Sequence, residues 1–197
     1  MSQIVEKVHN KLGLSCAKLS WGWLVYPLAS YMMLKLISIL HPTLTSIMST
    51  QEVTLARTHI KMFAGDYPCF AYLGADRNQD SFCRLCYHHY PQHSTPNEDM
   101  VHLLVRCRCT ADTRTSILPE FHNIISLYFP HNTILEKPNH TDLTQLILDP
   151  TSLNLPLNAR IPSNHPALPE VLRVCRKLCF AIHKTRTRML KRLKTDW

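Results

Sequence analysis

The chain has 197 residues, room for one or two small domains and not for a large multidomain enzyme. Apolar residues make up 45% and charged residues 18%, which excludes disorder, and 4 Gly against 13 Pro argues against phosphate-cradling loops or a hairpin-rich β fold. The net charge of +8 makes polyanions the first partners to consider, and 8 Cys with 12 His make a metal site worth seeking.

In chain order, residues 3–40 read as one or two apolar helices broken at Pro27. No secretory signal opens the chain. Residues 19–34 are uncharged, but their 16 positions fall short of the roughly 20 that a span requires. A buried helical hairpin is expected there, not a membrane span. Without a signal, reduced thiols or metal ligands are expected rather than disulfides, and an intracellular setting in nucleus or cytoplasm.

Ser49-x-x-Glu52 is a capping box, followed by Val53, Ala56, Ile60, Phe63 and Ala64 at helical spacing until Gly65. Arg57 and Lys61 lie one turn apart on the polar side. Residues 65–82 carry turn signals and read as an irregular connection. A second helix is predicted to start at Thr95-Pro96-Asn97-Glu98, with Thr95 as N-cap, Pro96 in the first position and Glu98 completing the box. It should run to about Cys107. Ile117, Leu118, Phe121, Ile124, Ile125 and Tyr128 trace an apolar stripe, with Pro119 expected to start a fresh helix. Leu143, Leu146 and Ile147 mark a short helix ended by Pro150. An extended Pro-rich strap is expected over 150–168. The last helix begins near Pro169, with a seam of Val171, Cys175, Leu178, Ile182, Met189 and Leu193. Cys175 and Cys179 read as core residues of that helix.

The fold class is therefore mainly α: an apolar helical segment over 1–48, a helical domain over 49–149, the strap, and a basic helix over 169–197. That last segment holds 9 Lys and Arg against Glu170 and Asp196, so most of the net charge sits there. Such a concentration can neutralise phosphates or form a plain solvated face.

The chemistry lies in Cys83-x2-Cys86, followed by His102 and Cys107. Two thiolates on a tight turn can take two corners of a tetrahedron, and a helix-borne His with a Cys past the helix end the other two. His102 and Cys107 diverge by about 140° on an ideal α-helix, so the helix must end or tighten between them. Three thiolates and a neutral His leave about −1, which Arg84, Arg106 and Arg108 could offset. Cys109, His88, His89 and His93 are competing ligands. A closed set of four would hold one structural Zn²⁺, with no position for a reactive water.

The run Ala56-Arg57-Thr58-His59-Ile60-Lys61-Met62, then Ala64-Gly65-Asp66-Tyr67, Cys83-Arg84-Leu85-Cys86, and 98–107 with its Glu98-Asp99, His102-Leu103-Leu104 and Cys107 resembles the C-terminal region of non-LTR (LINE-like) retrotransposon polyproteins. In that family a basic helix precedes a zinc segment downstream of the reverse transcriptase. The resemblance implies a zinc-stabilised helical module that grips RNA or DNA beside the polymerase part of the same element. No adjacent aspartates occur, so the polymerase signature is absent, and a non-catalytic fragment or remnant is expected. Arg57, Lys61, Arg84, Arg106 and Arg108 are candidate phosphate contacts near the zinc, and Lys184, Arg186, Arg188, Lys191, Arg192 and Lys194 in the tail. Three alternatives stand beside this reading. A metal-dependent nuclease would need an Asp where Lys137-Pro138 is followed by Asn139. A two-zinc ligase-like domain would need a second C-x2-C. A membrane-anchored or protein-interaction adaptor would use 19–40.

Overall fold

The computed structural model describes residues 50–69, 81–94, 96–130 and 139–195. The expected apolar helices within 1–48, the cap residues Ser49 and Thr95, and the Lys137-Pro138 pair lie outside them. The described residues form a mainly α-helical assembly. Its α-helices are α1 (Thr50–Phe63), α2 (Arg84–His89), α3 (Ala111–Tyr128), α4 (His140–Leu148) and α5 (Leu168–Thr195). A π turn over His102–Arg106 and a 3₁₀ turn over Arg108–Thr110 join the middle of the chain to α3.

The spine is α5, whose 28 residues span about 42 Å. Its seam Val171, Cys175, Leu178 and Ile182 is fully buried. Helix α3 packs antiparallel to it: Thr113 meets Thr185 hydroxyl to hydroxyl at 3.0 Å, while Glu120 reaches back to Arg173 at 2.7 Å and Lys177 at 2.6 Å. Helix α1 runs alongside in the same direction, with Glu52 near Arg176 at one end and Lys61 near His183 at the other. Phe121, Ile125, Leu146, Ile147 and Met62 close the core between them. Truncating a ring such as Phe121, wholly buried, would cost about 3–5 kcal/mol.

The chain ends α1 through Gly65, whose φ of +71° is the left-handed conformation that favours glycine after a helix. Asn139 caps α4 by accepting from the Thr141 N–H at 3.1 Å. Asp149 ends that helix by accepting from the Thr151 N–H and hydroxyl at 3.0 and 2.7 Å.

Three local expectations differ. Pro119 does not start a helix; it lies inside α3. It is exposed, so the Thr115 carbonyl that loses a donor can turn to water. The predicted box at 95–98 is not a helix start. Asn97 pairs with Phe82 in an isolated antiparallel bridge, and helical structure begins at Met100. Residues 150–168 are a chain of short turns rather than an extended strap. The Ile161 N–H donates to the Pro150 carbonyl at 2.8 Å, and Leu155, Ala159 and Ile161 enter the core. No helix among the described residues is long and apolar enough to cross a membrane.

Candidate metal centre

One bridge builds the site. The Cys83 N–H donates to the Pro96 carbonyl, and the Glu98 N–H to the Ser81 carbonyl, both at 2.9 Å. This clamp lays the start of α2 against the segment leading to His102. Cys83 occupies the N-cap position of α2 and Cys86 falls in its first turn, so both thiols turn to the same side. The Asp99 carboxylate then accepts from the His102 N–H at 2.6 Å and serves as the start signal assigned to Glu98 by sequence.

The helical run ends at Arg106, as the spacing requires, but its last turn does not tighten. The backbone widens: the Cys107 N–H donates to the His102 carbonyl at 2.6 Å, an i→i+5 bond. A π turn stacks residues five apart on one side, where an α-helix would splay them. Cys83, Cys86, His102 and Cys107 are all buried, and their ligand atoms lie within 4.8 Å of one another. Cys86 Sγ is 3.5 Å from His102 Nε2 and 3.7 Å from Cys107 Sγ. A tetrahedral ion about 2.3 Å from sulfur and about 2.0–2.1 Å from nitrogen would have edges of about 3.5 and 3.8 Å. The Cys₃His cluster can therefore hold a metal ion.

The thiols are electrostatically interdependent. Cys107 is pulled below the ordinary thiol range by hydrogen bonds from Cys109, Cys83 and His102. Cys83 is pushed up by its bond to Cys107, by burial and by repulsion. Cys86 is pushed up by burial and by Cys107. Backbone N–H groups soften both shifts, from Cys86 toward Cys83 and from Arg108 toward Cys86. A cation among these groups would replace that mutual repulsion with attraction, as a ligand set requires. Of the competing ligands, Cys109 is half-buried beside Cys107, while His88, His89 and His93 are exposed and outside the cluster.

No known protein family, curated protein or solved structure matches the chain. The site must be read from its own chemistry.

The cations sort into three kinds. Arg84, Arg106 and Arg108, the expected charge compensators, are exposed; Arg106 donates to His140 Nδ1 at 2.7 Å and Arg108 stacks over the Tyr90 ring at 5.7 Å. The buried cation that the thiolates attract is Arg114, which sequence reading missed. Its guanidinium donates to the Thr110 hydroxyl at 2.7 Å, and that hydroxyl to the Cys107 carbonyl at 3.3 Å. The available signal was its place seven residues after Cys107, two helical turns on.

Arg186 is not a phosphate contact. It is buried, paired with the fully buried Glu98, bonded to the Pro68 carbonyl at 3.1 Å, and set 5.7 Å from the centre of the Tyr67 ring. Burial pushes the Tyr67 hydroxyl up to about 12, and that hydroxyl bonds His183 Nδ1 at 2.9 Å. Arg57, Lys184, Arg188, Lys191 and Arg192 are exposed, and Lys61 is half-buried. Lys194 lies on α5, its side chain outside the described residues. Positions 173, 177, 184, 188 and 191 share one helical face, so Arg173 and Lys177, tied to Glu120, extend the basic stripe. Finally, Met189, Leu190 and Leu193 pack on the cluster of Cys83, Leu85, Cys86 and Cys107. The basic end of α5 is thereby anchored on the Cys₃His cluster.

Proposed function

We propose that the chain is a non-catalytic, zinc-stabilised module that binds RNA or DNA, and that it is a C-terminal fragment or remnant of a retrotransposon reverse-transcriptase polyprotein. Zinc is the ion that three thiolates and an imidazole in a buried tetrahedron suit best. Four protein ligands close its coordination, so its role is to hold the 81–110 segment together rather than to activate water.

One observation carries the nucleic-acid reading. The apolar side of the α5 end sits on the metal cluster, and exposed Arg188, Lys191 and Arg192 occupy the same end of that helix. Two groups of cations distant in sequence, Arg84 and Arg108 on one side and the α5 residues on the other, thus belong to one small folded unit. Clustered fixed cations favour a polyanion over scattered acidic ligands. The natural partner beyond nucleic acid is the polymerase part of the same element, in the nucleus or cytoplasm.

Metal analysis of the purified chain should give one zinc, and two would overturn the single-site reading. Binding of labelled RNA and DNA should weaken linearly with the logarithm of salt, each phosphate contact adding roughly 0.7–0.9 to the slope. Charge reversal at Arg188, Lys191 and Arg192 together should flatten that slope. Absent or salt-insensitive binding would refute the reading.

A further inference from the structure

The helix that supplies Cys86 turns its other side to solvent, and that side is aromatic. Tyr87 is 56% exposed, while Leu85 and Cys86 beside it are buried. Its ring is not loose: Phe82 supports it at 5.1 Å between centroids, tilted by 43°. Just past the helix, Tyr90 carries the Arg108 guanidinium over its ring at 5.7 Å. His88 and His89 are exposed between them, with rings 5.1 Å apart. Arg84 is exposed at the start of the same helix. An ion-holding cluster does not need these rings, and the core does not use most of Tyr87.

We infer that this face of α2 is a stacking platform for single-stranded nucleic acid, with an unpaired base on Tyr87 and the neighbouring phosphates on Arg84 and Arg108. The inference rests on the nucleic-acid reading above and names its substrate class. A duplex keeps its bases stacked on each other and offers an outward ring only its edges and backbone. A single strand can splay a base onto an aromatic face. Stacking suits every base, so the platform selects strandedness rather than sequence. A ring already propped by Phe82 loses little freedom on binding, which favours it as an anchor. The guanidinium of Arg108, set over the Tyr90 ring at 5.7 Å, can meet a phosphate beside the stacked base. The RNA and DNA forms of a strand share this chemistry.

The test uses the full-length, zinc-loaded chain and fluorescence anisotropy. The probes are an unstructured RNA strand of about 12 nucleotides, the DNA strand of the same sequence, and the corresponding blunt DNA duplex. The wild-type chain should prefer a strand, RNA or DNA, to the duplex by about tenfold or more. Tyr87→Leu retains apolar contact with Phe82 but has no π face. It should weaken strand binding about tenfold, leave duplex binding and the salt slope unchanged, and keep its zinc. Tyr87→Trp should restore or exceed wild-type strand affinity. Equal strand affinity of wild type and Tyr87→Leu, or a preference for duplex, would overturn the platform while salt-dependent binding still upheld the broader reading. No binding to any probe would remove both.

Discussion

Replacing Glu98 by Ala should destabilise the zinc-loaded chain by about 3–5 kcal/mol, far more than an ordinary ion-pair loss. An exposed pair contributes no more than about 1 kcal/mol, because water screens it. Here the Glu98 side chain is 0% exposed and that of Arg186 7%. Removing the carboxylate strands a guanidinium between α5, the Pro68 carbonyl and the Tyr67 ring, and a buried charge that loses its partner costs about 3–5 kcal/mol. With a urea dependence of about 2 kcal/mol per molar, the unfolding midpoint followed by far-UV circular dichroism should fall by about 2 M. The double replacement Glu98→Leu with Arg186→Met exchanges both charges for apolar volume and should lie much closer to wild type. Coupling between the two sites is what the structure demands. A cost below about 1 kcal/mol for Glu98→Ala, or a double variant as costly as the sum of the two single ones, would refute the buried pair.

Cys107→Ser should abolish stoichiometric zinc and lower helicity, and full zinc with unchanged helicity would remove Cys107 from the ligand set. Arg114→Met should leave the chain folded but let a chelator strip zinc more easily, with affinity lower by about 10–100-fold; an unchanged competition curve would show that Arg114 only packs. His183 gives a pH dependence. Burial, with Arg186 and Lys61 nearby, holds its imidazole below the ordinary histidine range. The unfolded chain therefore takes up this proton first as pH falls below about 6.5, so stability declines through that window and levels off below the folded value. His183→Gln keeps a partner for the Tyr67 hydroxyl and should make the urea midpoint fall less between about pH 7.5 and 5.5; an identical fall would refute the contribution.

The parts of this molecule legible in the sequence are those written in short-range patterns. The helical spacing that ends at Gly65 and the start of the last helix near Pro169 depend on neighbours within a few positions, and the Cys/His spacing joins two such short patterns, Cys83-x2-Cys86 and His102-x4-Cys107. Glu98 shows where such patterns stop. Its place three residues after Thr95 matches a capping box whether or not its carboxylate turns back. The deciding partner, Arg186, is 88 residues away. The same distance hid Arg186 among the tail cations, where its spacing from exposed neighbours gives no sign of a buried acid opposite. Arg114 is obscured because it stands apart from the ligands in sequence, in the first turn of the following helix. Pro119 resembles a helix boundary by local rules, because it lacks an N–H, and only the folded chain shows that this position faces water.

The π turn carries one more consequence. It amounts to one residue more than an α-helical turn would need between His102 and Cys107, and an α-helix would recover its regular bonding by rotating everything beyond that residue about 100° relative to what precedes it. Helix α3 follows after only the 3₁₀ turn. Such a rotation would carry Thr113 away from Thr185 and Arg114 away from Cys86. The ion, by demanding that two side chains five positions apart face one point, would thus act as a ratchet pawl on the chain. Coordination at one end would set the angular phase of an 18-residue helix at the other.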